Sequence, residues 1–267
     1  MDNLQMYRKS FGSVIVMLMC CIIITALLCP GYEIAAHNNE WGICFETPGE
    51  KPTIDISEEV LEANDAYYMG DDQKKYVYLT FDAGYENGFT PKILDILKKT
   101  EVPAAFFLIG AYIQKNPDIV ERMVEEGHIV ANHTMNHPEK YVLEDKGELR
   151  KQLELTEAEY LKATGFKMPK YYRPPCGKHN KNSLRAAKEL GYKTIFWSLA
   201  YNDYDEYNRP SNWAAMKKLT SCIHPGAVVM LHSTCRTNVD ILEELINQYK
   251  GMGYKFKSLD TLVKSRR

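Results

Sequence analysis

From Tyr76 onward the chain alternates between short apolar runs and longer segments in which apolar residues return every three or four positions. The first run, Tyr76-Val77-Tyr78-Leu79, predicts a buried strand over Val77–Phe81. Thr90 then caps a helix with Pro91 at its first position, and Ile93, Leu94 and Leu97 form its apolar stripe. A second strand is expected at Ala104–Ile109, a helix from Pro117 to about Glu126 closed by Gly127, and a short third strand at His128–Ala131. Glu148–Ala163 reads as a helix ended by Gly165, Tyr171–Tyr172 as a short extended run, and Asn182–Leu190 as a helix stopped by Gly191. Strands at Lys193–Trp197 and Ala227–His232 flank a helix near Asn212–Cys222, and the helix Val239–Tyr249 with a strand at Tyr254–Phe256 completes the pattern.

Such alternation with short connections argues a parallel sheet with helices outside. About seven units fit between residues 76 and 262, which allows a closed or nearly closed barrel, or an open doubly wound sheet. No Gly-x-Gly-x-x-Gly follows the first strand, which disfavours dinucleotide binding.

The N-terminal third reads differently. Phe11–Cys29 is 19 residues without a charge, preceded by Arg8 and Lys9. As a helix it would span roughly 28 Å, close to the thickness of a bilayer core. The basic flank keeps residues 1–10 cytoplasmic and sends the rest outside. A cleaved signal with a small-residue site at Ile34-Ala35-Ala36 competes with an anchor, but the apolar run is long for a signal core. The expectation is an anchor at 11–29, an extracytoplasmic stalk at 30–71 and a folded domain at 72–267; a cleaved segment would make the protein secreted. Within the stalk, Pro48, Gly49 and Pro52 break periodicity, and one short helix is expected near Ser57–Asn64.

Charge and cysteines narrow the partners. Thirty-three Lys and Arg against 35 Asp and Glu give a formal net charge of −2, so no basic field favours nucleic acid. Cys20, Cys21 and Cys29 lie in the apolar run; Cys44, Cys176, Cys222 and Cys235 are dispersed without Cys-x-x-Cys spacing, which argues against a cysteine zinc site and for free thiols.

Several strand ends carry residues with chemical potential. Thr80-Phe81-Asp82-Ala83-Gly84 places a carboxylate at the carboxyl end of the first strand, although Asp before a Gly is also an ordinary turn. Asn132-His133-Thr134-Met135-Asn136-His137-Pro138 follows the third strand; His-x-x-x-His on a helical turn would bring both imidazoles to one divalent metal, with Pro138 ending the turn. The alternative is a pair of solvated loop histidines. Arg173-Pro174-Pro175-Cys176-Gly177 is a rigid turn in which Pro175 lacks an N–H, so the Cys176 amide is the next donor for a ligand. A nucleophilic Cys176 is a further reading, with no sequence neighbour to activate it. Leu231-His232 ends a buried strand, where His232 is a general acid or a structural His. Asp203 follows another strand and could orient such a His. Together they supply what amide hydrolysis needs: a base, metal ligands, an oxyanion donor and an acid.

These residues, in this order, resemble the polysaccharide deacetylases of carbohydrate esterase family 4 over about residues 72–262, with all five family motifs recognisable. The resemblance implies a distorted parallel (β/α) barrel of fewer than eight units. It implies that Asp82 is the general base, that His133 and His137 bind a divalent metal, zinc first among the candidates, and that Arg173 holds Asp82. It further implies that the Cys176 amide, beside Pro175 and Leu231, contributes to the oxyanion and substrate site, and that Asp203 tethers His232, the acid. Ala83 departs from the family, in which a second Asp at this position completes an Asp-His-His metal site. The longer string Thr80–Gly88, with Phe196-Trp197-Ser198 and the ending Gly253–Asp260, looks closest to the de-N-acetylases that make muramic δ-lactam in spore cortex peptidoglycan, a branch that typically carries Asn at the second position.

The expected protein is therefore a monomeric, membrane-anchored, metal-dependent hydrolase that removes the N-acetyl group of N-acetylmuramic acid in cell-wall peptidoglycan during sporulation. The same chemistry on N-acetylglucosamine or another acetylated glycan is one alternative. A catalytically silent glycan-binding protein is another, suggested by Ala83.

Overall fold

The computed structural model of the protein describes residues 40–138, 145–205 and 209–264. The expected cytoplasmic N-terminus and anchor at 1–29 lie outside the described residues. Among the described residues no helix is long and apolar enough to cross a membrane.

The organising element is β4, Tyr76–Ala83, whose last seven residues are all buried. Alternation along the strand gives it two apolar faces. Val77, Leu79, Phe81 and Ala83 pack outward with Ile93, Leu94 and Leu97 of the helix Thr90–Thr100. Tyr78 joins Ala105, Phe107, Ala131 and Val228 in a second, inner cluster. Thr80 and Asp82 share the face of Tyr78, so the period of two delivers a buried carboxylate to the inner surface of the sheet.

Strand β4 pairs with β5, Ala104–Leu108, and with β9, Ala227–His232, and its first two residues also meet β10, Lys255–Phe256. From β5 the sheet continues through β6, Ile129–Asn132, β7, Tyr171–Tyr172, β8, Lys193–Ile195, and β3, Ala66–Tyr67. All eight strands pair in parallel, the arrangement that requires helices on the outer face. Beyond β8 the chain crosses to β9: Leu199 bridges Val229, and the Met230 amide donates to the Leu199 carbonyl at 2.9 Å. The sheet thus curls into a distorted (β/α) barrel rather than an open doubly wound sheet.

Three expectations change. Residues 40–70 are not a stalk. A short antiparallel hairpin of β1, Ile43–Cys44, and β2, Thr53–Ile54, precedes the helix Glu58–Ala63, capped by Ser57, and then β3 joins the main sheet beside β8. Trp41, Ile43, Leu61, Tyr68 and Met69 form a core with Leu184 and Phe196. Two-residue strands and scattered aromatics leave no periodic trace in the sequence. Thr90 does not cap its helix: the cap residue is Phe89, and the Glu86 carboxylate accepts the Gly88 and Thr90 amides at 2.6 and 3.3 Å. Finally, a helix at Gly110–Lys115, absent from the sequence reading, follows β5 directly. Cys44, Cys176, Cys222 and Cys235 are free thiols.

Candidate active site

The carboxyl ends of the strands gather at one mouth of the barrel, where parallel pairing sets their relative heights. Asp82 stands opposite His232 in the register of β4 with β9. Asn132, at the end of β6, pairs with Tyr172 of β7, so His133 and Arg173 leave their strands side by side.

Arg173 has no solvent-exposed surface. Its Nη1 donates to Asp82 Oδ1 at 2.5 Å, both terminal nitrogens reach Thr80 Oγ1 at 3.1 Å, and Nε and Nη2 donate to the carbonyls of Ile195 and Phe196 at 2.9 and 3.2 Å. The guanidinium also lies 4.0 Å from the centre of the Phe107 ring. A buried charge is tolerated when paired and hydrogen-bonded on all sides, and Arg173 meets that condition. Burial pushes the Asp82 carboxyl up, but the charges of Arg173, His133 and His232 outweigh it and hold the group below its ordinary value. Asp82 is therefore an ionised carboxylate with one oxygen clamped by Arg173. Its other oxygen, Oδ2, lies 3.8 Å from His133 Nε2.

His133 and His137 are brought together, though not by a helix. Thr134 and His137 both have left-handed backbones, with φ of 69° and 56°, and among the described residues the next helix begins at Lys146. Side chains replace the missing helical hydrogen bonds. Asn132 Oδ1 accepts the Thr134 amide at 2.9 Å, Thr134 Oγ1 accepts the His137 amide at 3.0 Å, and Gln152 Oε1 accepts the amides of Met135 and Asn136 at 3.0 and 3.2 Å. The two imidazole centres come to 4.9 Å. His133 Nδ1 lies 2.8 Å from the Arg173 carbonyl, so Nδ1 carries the proton and Nε2 keeps its lone pair. Burial, only partly offset by Asp82, pushes the His133 pKa down to about 4, leaving the ring neutral at pH 7. A neutral imidazole with its free nitrogen beside a second imidazole is a fitting pair of donors for a divalent metal. Among the described residues no group of three or more His, Cys, Asp or Glu is arranged around one ion, and Ala83, buried in the outer apolar cluster, supplies no third donor.

His232 is held by Asp203. The Asp203 carboxylate accepts the His232 amide on Oδ2 at 2.7 Å and the His232 Nδ1 proton on Oδ1 at 2.6 Å. Asn238 Nδ2 donates to the same Oδ2 at 2.6 Å and to the His232 carbonyl at 2.9 Å, while its Oδ1 accepts the Tyr201 hydroxyl at 2.6 Å. Burial lowers the His232 pKa, but the Asp203 charge and hydrogen bond, with help from Asp82, more than reverse it, and the net shift is upward. A quarter of the His232 side chain remains exposed, which keeps its free edge open to the mouth.

The turn after β7 is tight. Pro175–Gly177 forms one 3₁₀ turn in which the Gly177 and Lys178 amides donate to the carbonyls of Pro174 and Pro175, each at 2.9 Å. Cys176 is exposed and left-handed, with φ of 52°. Pro175 is buried next to it in sequence. Leu231, expected at the oxyanion and substrate site, instead stands level with Phe81 in the register of β4 and β9 and is buried in the outer apolar cluster, because alternation along β9 gives the mouth His232 and the helices Leu231.

Four supporting residues escaped the sequence reading. Thr80 bridges the Val229 carbonyl and Arg173; its place two residues before Asp82, on the same face, was a usable signal. Gln152 and Thr134 act on backbone amides of the 134–137 loop, whose path no periodicity specifies, and Asn238 holds Asp203 and the end of β9 from a separate helix.

The polysaccharide deacetylase family model matches residues 69–195. The chain is 37% identical over 251 residues to the peptidoglycan-N-acetylmuramic acid deacetylase PdaA of Bacillus subtilis, covering 92% of this chain and 95% of that protein. The solved structure of that protein, a family 4 carbohydrate esterase, superposes with a TM-score of 0.81 at 36% identity, over 85% of this chain and 97% of the other. A family 4 carbohydrate esterase from Bacillus anthracis gives a TM-score of 0.69 at 42% identity, over 82% and 97% of the two chains. By sequence and by structure, the chain belongs to the polysaccharide deacetylase family, the family 4 carbohydrate esterases.

Proposed function

We propose that the protein is a peptidoglycan N-deacetylase that hydrolyses the acetamide of N-acetylmuramic acid. The observation that carries the chemistry is the facing pair Asp82 and His232, each locked by an oppositely charged partner, Arg173 for the carboxylate and Asp203 for the imidazole. The sugar assignment rests on the near full-length similarity to a muramic acid deacetylase.

In this reading Asp82, kept ionised by Arg173, takes the proton of the attacking water through Oδ2. His232, kept protonated by Asp203, delivers a proton from Nε2 to the departing amine nitrogen as the C–N bond breaks, and acetate leaves. The Cys176 amide, beside the buried Pro175, faces the oxygen that gains charge. His133 and His137 would hold a divalent metal, zinc among the candidates, which supplies Lewis-acid polarisation and acidifies water. The freed amine can then condense with the lactyl carboxyl of the same sugar, losing water and closing the δ-lactam of spore cortex. The charge-free stretch at 11–29 behind Arg8 and Lys9 supports a domain working outside the cytoplasm, where peptidoglycan lies.

The test is to give the full-length protein defined peptidoglycan strands, with and without stem peptides, and to locate the deacetylated sugar by mass spectrometry. Loss of acetyl from muramic acid is expected; loss confined to glucosamine removes the muramic assignment. Ala83 favours one second reading, a silent glycan-binding protein. Metal titration combined with acetate release separates the two, since a silent protein binds strands and releases nothing.

A further inference from the structure

The family match begins at residue 69, yet a residue well before it closes on the catalytic turn. The Trp41 amide donates to the Gly177 carbonyl at 3.1 Å, and its indole Nε1 donates to the Trp197 carbonyl at 2.9 Å. The indole stacks on Phe196 with centres 4.2 Å apart and planes 13° from parallel. Phe196 in turn gives its carbonyl to Arg173 Nη2. Trp41 therefore touches both the strand end that holds the guanidinium and the turn that follows it. Contact with the turn is close. Gly177 has a left-handed φ of 66°, and a Cβ there would lie 2.6 Å from Trp41 Cβ and 2.9 Å from the Trp197 ring. Cys176, one residue earlier, holds a left-handed φ that a non-glycine residue adopts only under constraint. The rest of the surrounding packing, His179 against Trp41 and Phe196, completes a wedge behind the turn.

We infer that Trp41 is a positioning residue for the Arg173–Gly177 turn, and that the segment from residue 40 to 70 is a working part of the site. This inference rests on the deacetylase reading for its kinetic consequence, though not for its structural one. Without the wedge, the Cys176 amide loses its fixed aim and Arg173 loses a rigid acceptor at Phe196. A shift of about 1 Å at such a group costs up to about a hundredfold in rate.

The experiment compares full-length wild type with Trp41→Ala, Trp41→Phe and Gly177→Ala, reading acetate release and the rate at which iodoacetamide alkylates Cys176, resolved by peptide mass spectrometry. Trp41→Ala is expected to lower kcat at least about tenfold with KM within about threefold, and to change the Cys176 alkylation rate at least about threefold. Trp41→Phe, which keeps the stack, restores most of both. Gly177→Ala, pressing on the wedge from the other side, reproduces the Trp41→Ala pattern without depending on the loss of a core aromatic. If Trp41→Ala keeps the wild-type kcat and Cys176 rate, the inference falls. If wild type releases no acetate, the deacetylase reading falls, and the alkylation rates alone still decide whether Trp41 sets the turn.

Discussion

Asp82 and His232 are cross-strand partners at the last register position of β4 and β9. Parallel pairing fixes the height of one against the other, and each is oriented from behind by a separate ion pair, Arg173 on one side and Asp203 on the other. Those partners shift the two groups in opposite directions, the carboxyl down and the imidazole up. The shifts bias the carboxyl toward accepting a proton and the imidazole toward holding one to donate, the pairing that the proposed amide hydrolysis needs.

The first prediction follows from the acceptor. Asp82→Asn removes the proposed base and leaves Arg173 facing a neutral amide. Acetate release is expected to fall by about a hundredfold or more. Loss of the counter-charge to a fully buried guanidinium also lowers stability by an amount on the order of 3 kcal/mol. Steady-state kinetics and thermal melts of the same preparation check both; a variant with near wild-type turnover removes Asp82 as base.

A second prediction concerns the donor. Asp203 raises the His232 pKa by favouring the imidazolium, so Asp203→Asn lowers it. Activity that needs protonated His232 is lost on the alkaline side, where the proton leaves. The alkaline limb of the rate profile is therefore expected to move to lower pH, with a rate loss of about tenfold or more at pH 8. An unmoved limb assigns that titration to another group.

The strand ends were legible because their signals are local. Asp82, Arg173, Asp203 and His232 each follow an apolar run, and a parallel sheet carries all such ends to one mouth. The supporting residues were not legible for a physical reason. Asn238 sits in the amphipathic first turn of the helix Arg236–Gly251, where an Asn is unremarkable until β9 and residue 203 fold against it. The loop from His133 to His137 looked helical by spacing, because a period of four cannot distinguish a helical turn from two left-handed residues. Trp41 falls in the expected stalk because a single aromatic without periodicity has no visible partner in sequence, and its partners Phe196 and Gly177 are more than 130 residues away.

Acid stability of the metal-free protein gives a third prediction. The His133 pKa is depressed from an ordinary 6.5 to about 4 by burial. Between those values the unfolded chain binds a proton that the folded protein does not, so stability is full above about pH 6.5 and declines as pH falls toward 4. The loss approaches about 3 kcal/mol per molecule. His133→Gln, which cannot titrate, is expected to show a shallower fall in melting temperature from pH 7 to 4. Equal slopes in the two proteins would show that His133 does not carry this linkage.

Replacing the residue beside Asp82 tests the two-histidine metal site directly. Ala83 is buried and surrounded by apolar side chains, and its Cβ carries nothing that can ligate. His133 and His137 are both neutral donors, so an ion held by them keeps its full positive charge and has no anionic ligand of its own. Ala83→Asp adds a carboxylate at the end of β4. In the metal-free protein that group is buried without a counter-ion, and the melting temperature is expected to fall. If the last residue of β4 turns its new carboxylate from the outer cluster to the mouth, a divalent metal reverses the sign: the carboxylate gains a partner, and affinity rises at least about tenfold, which appears as a larger metal-induced rise in melting temperature. Zinc titrations followed by calorimetry and by melting temperature separate the outcomes. A destabilised variant whose metal affinity equals wild type would mean that position 83 does not face the ion, and that the two-histidine site is complete as the chain builds it.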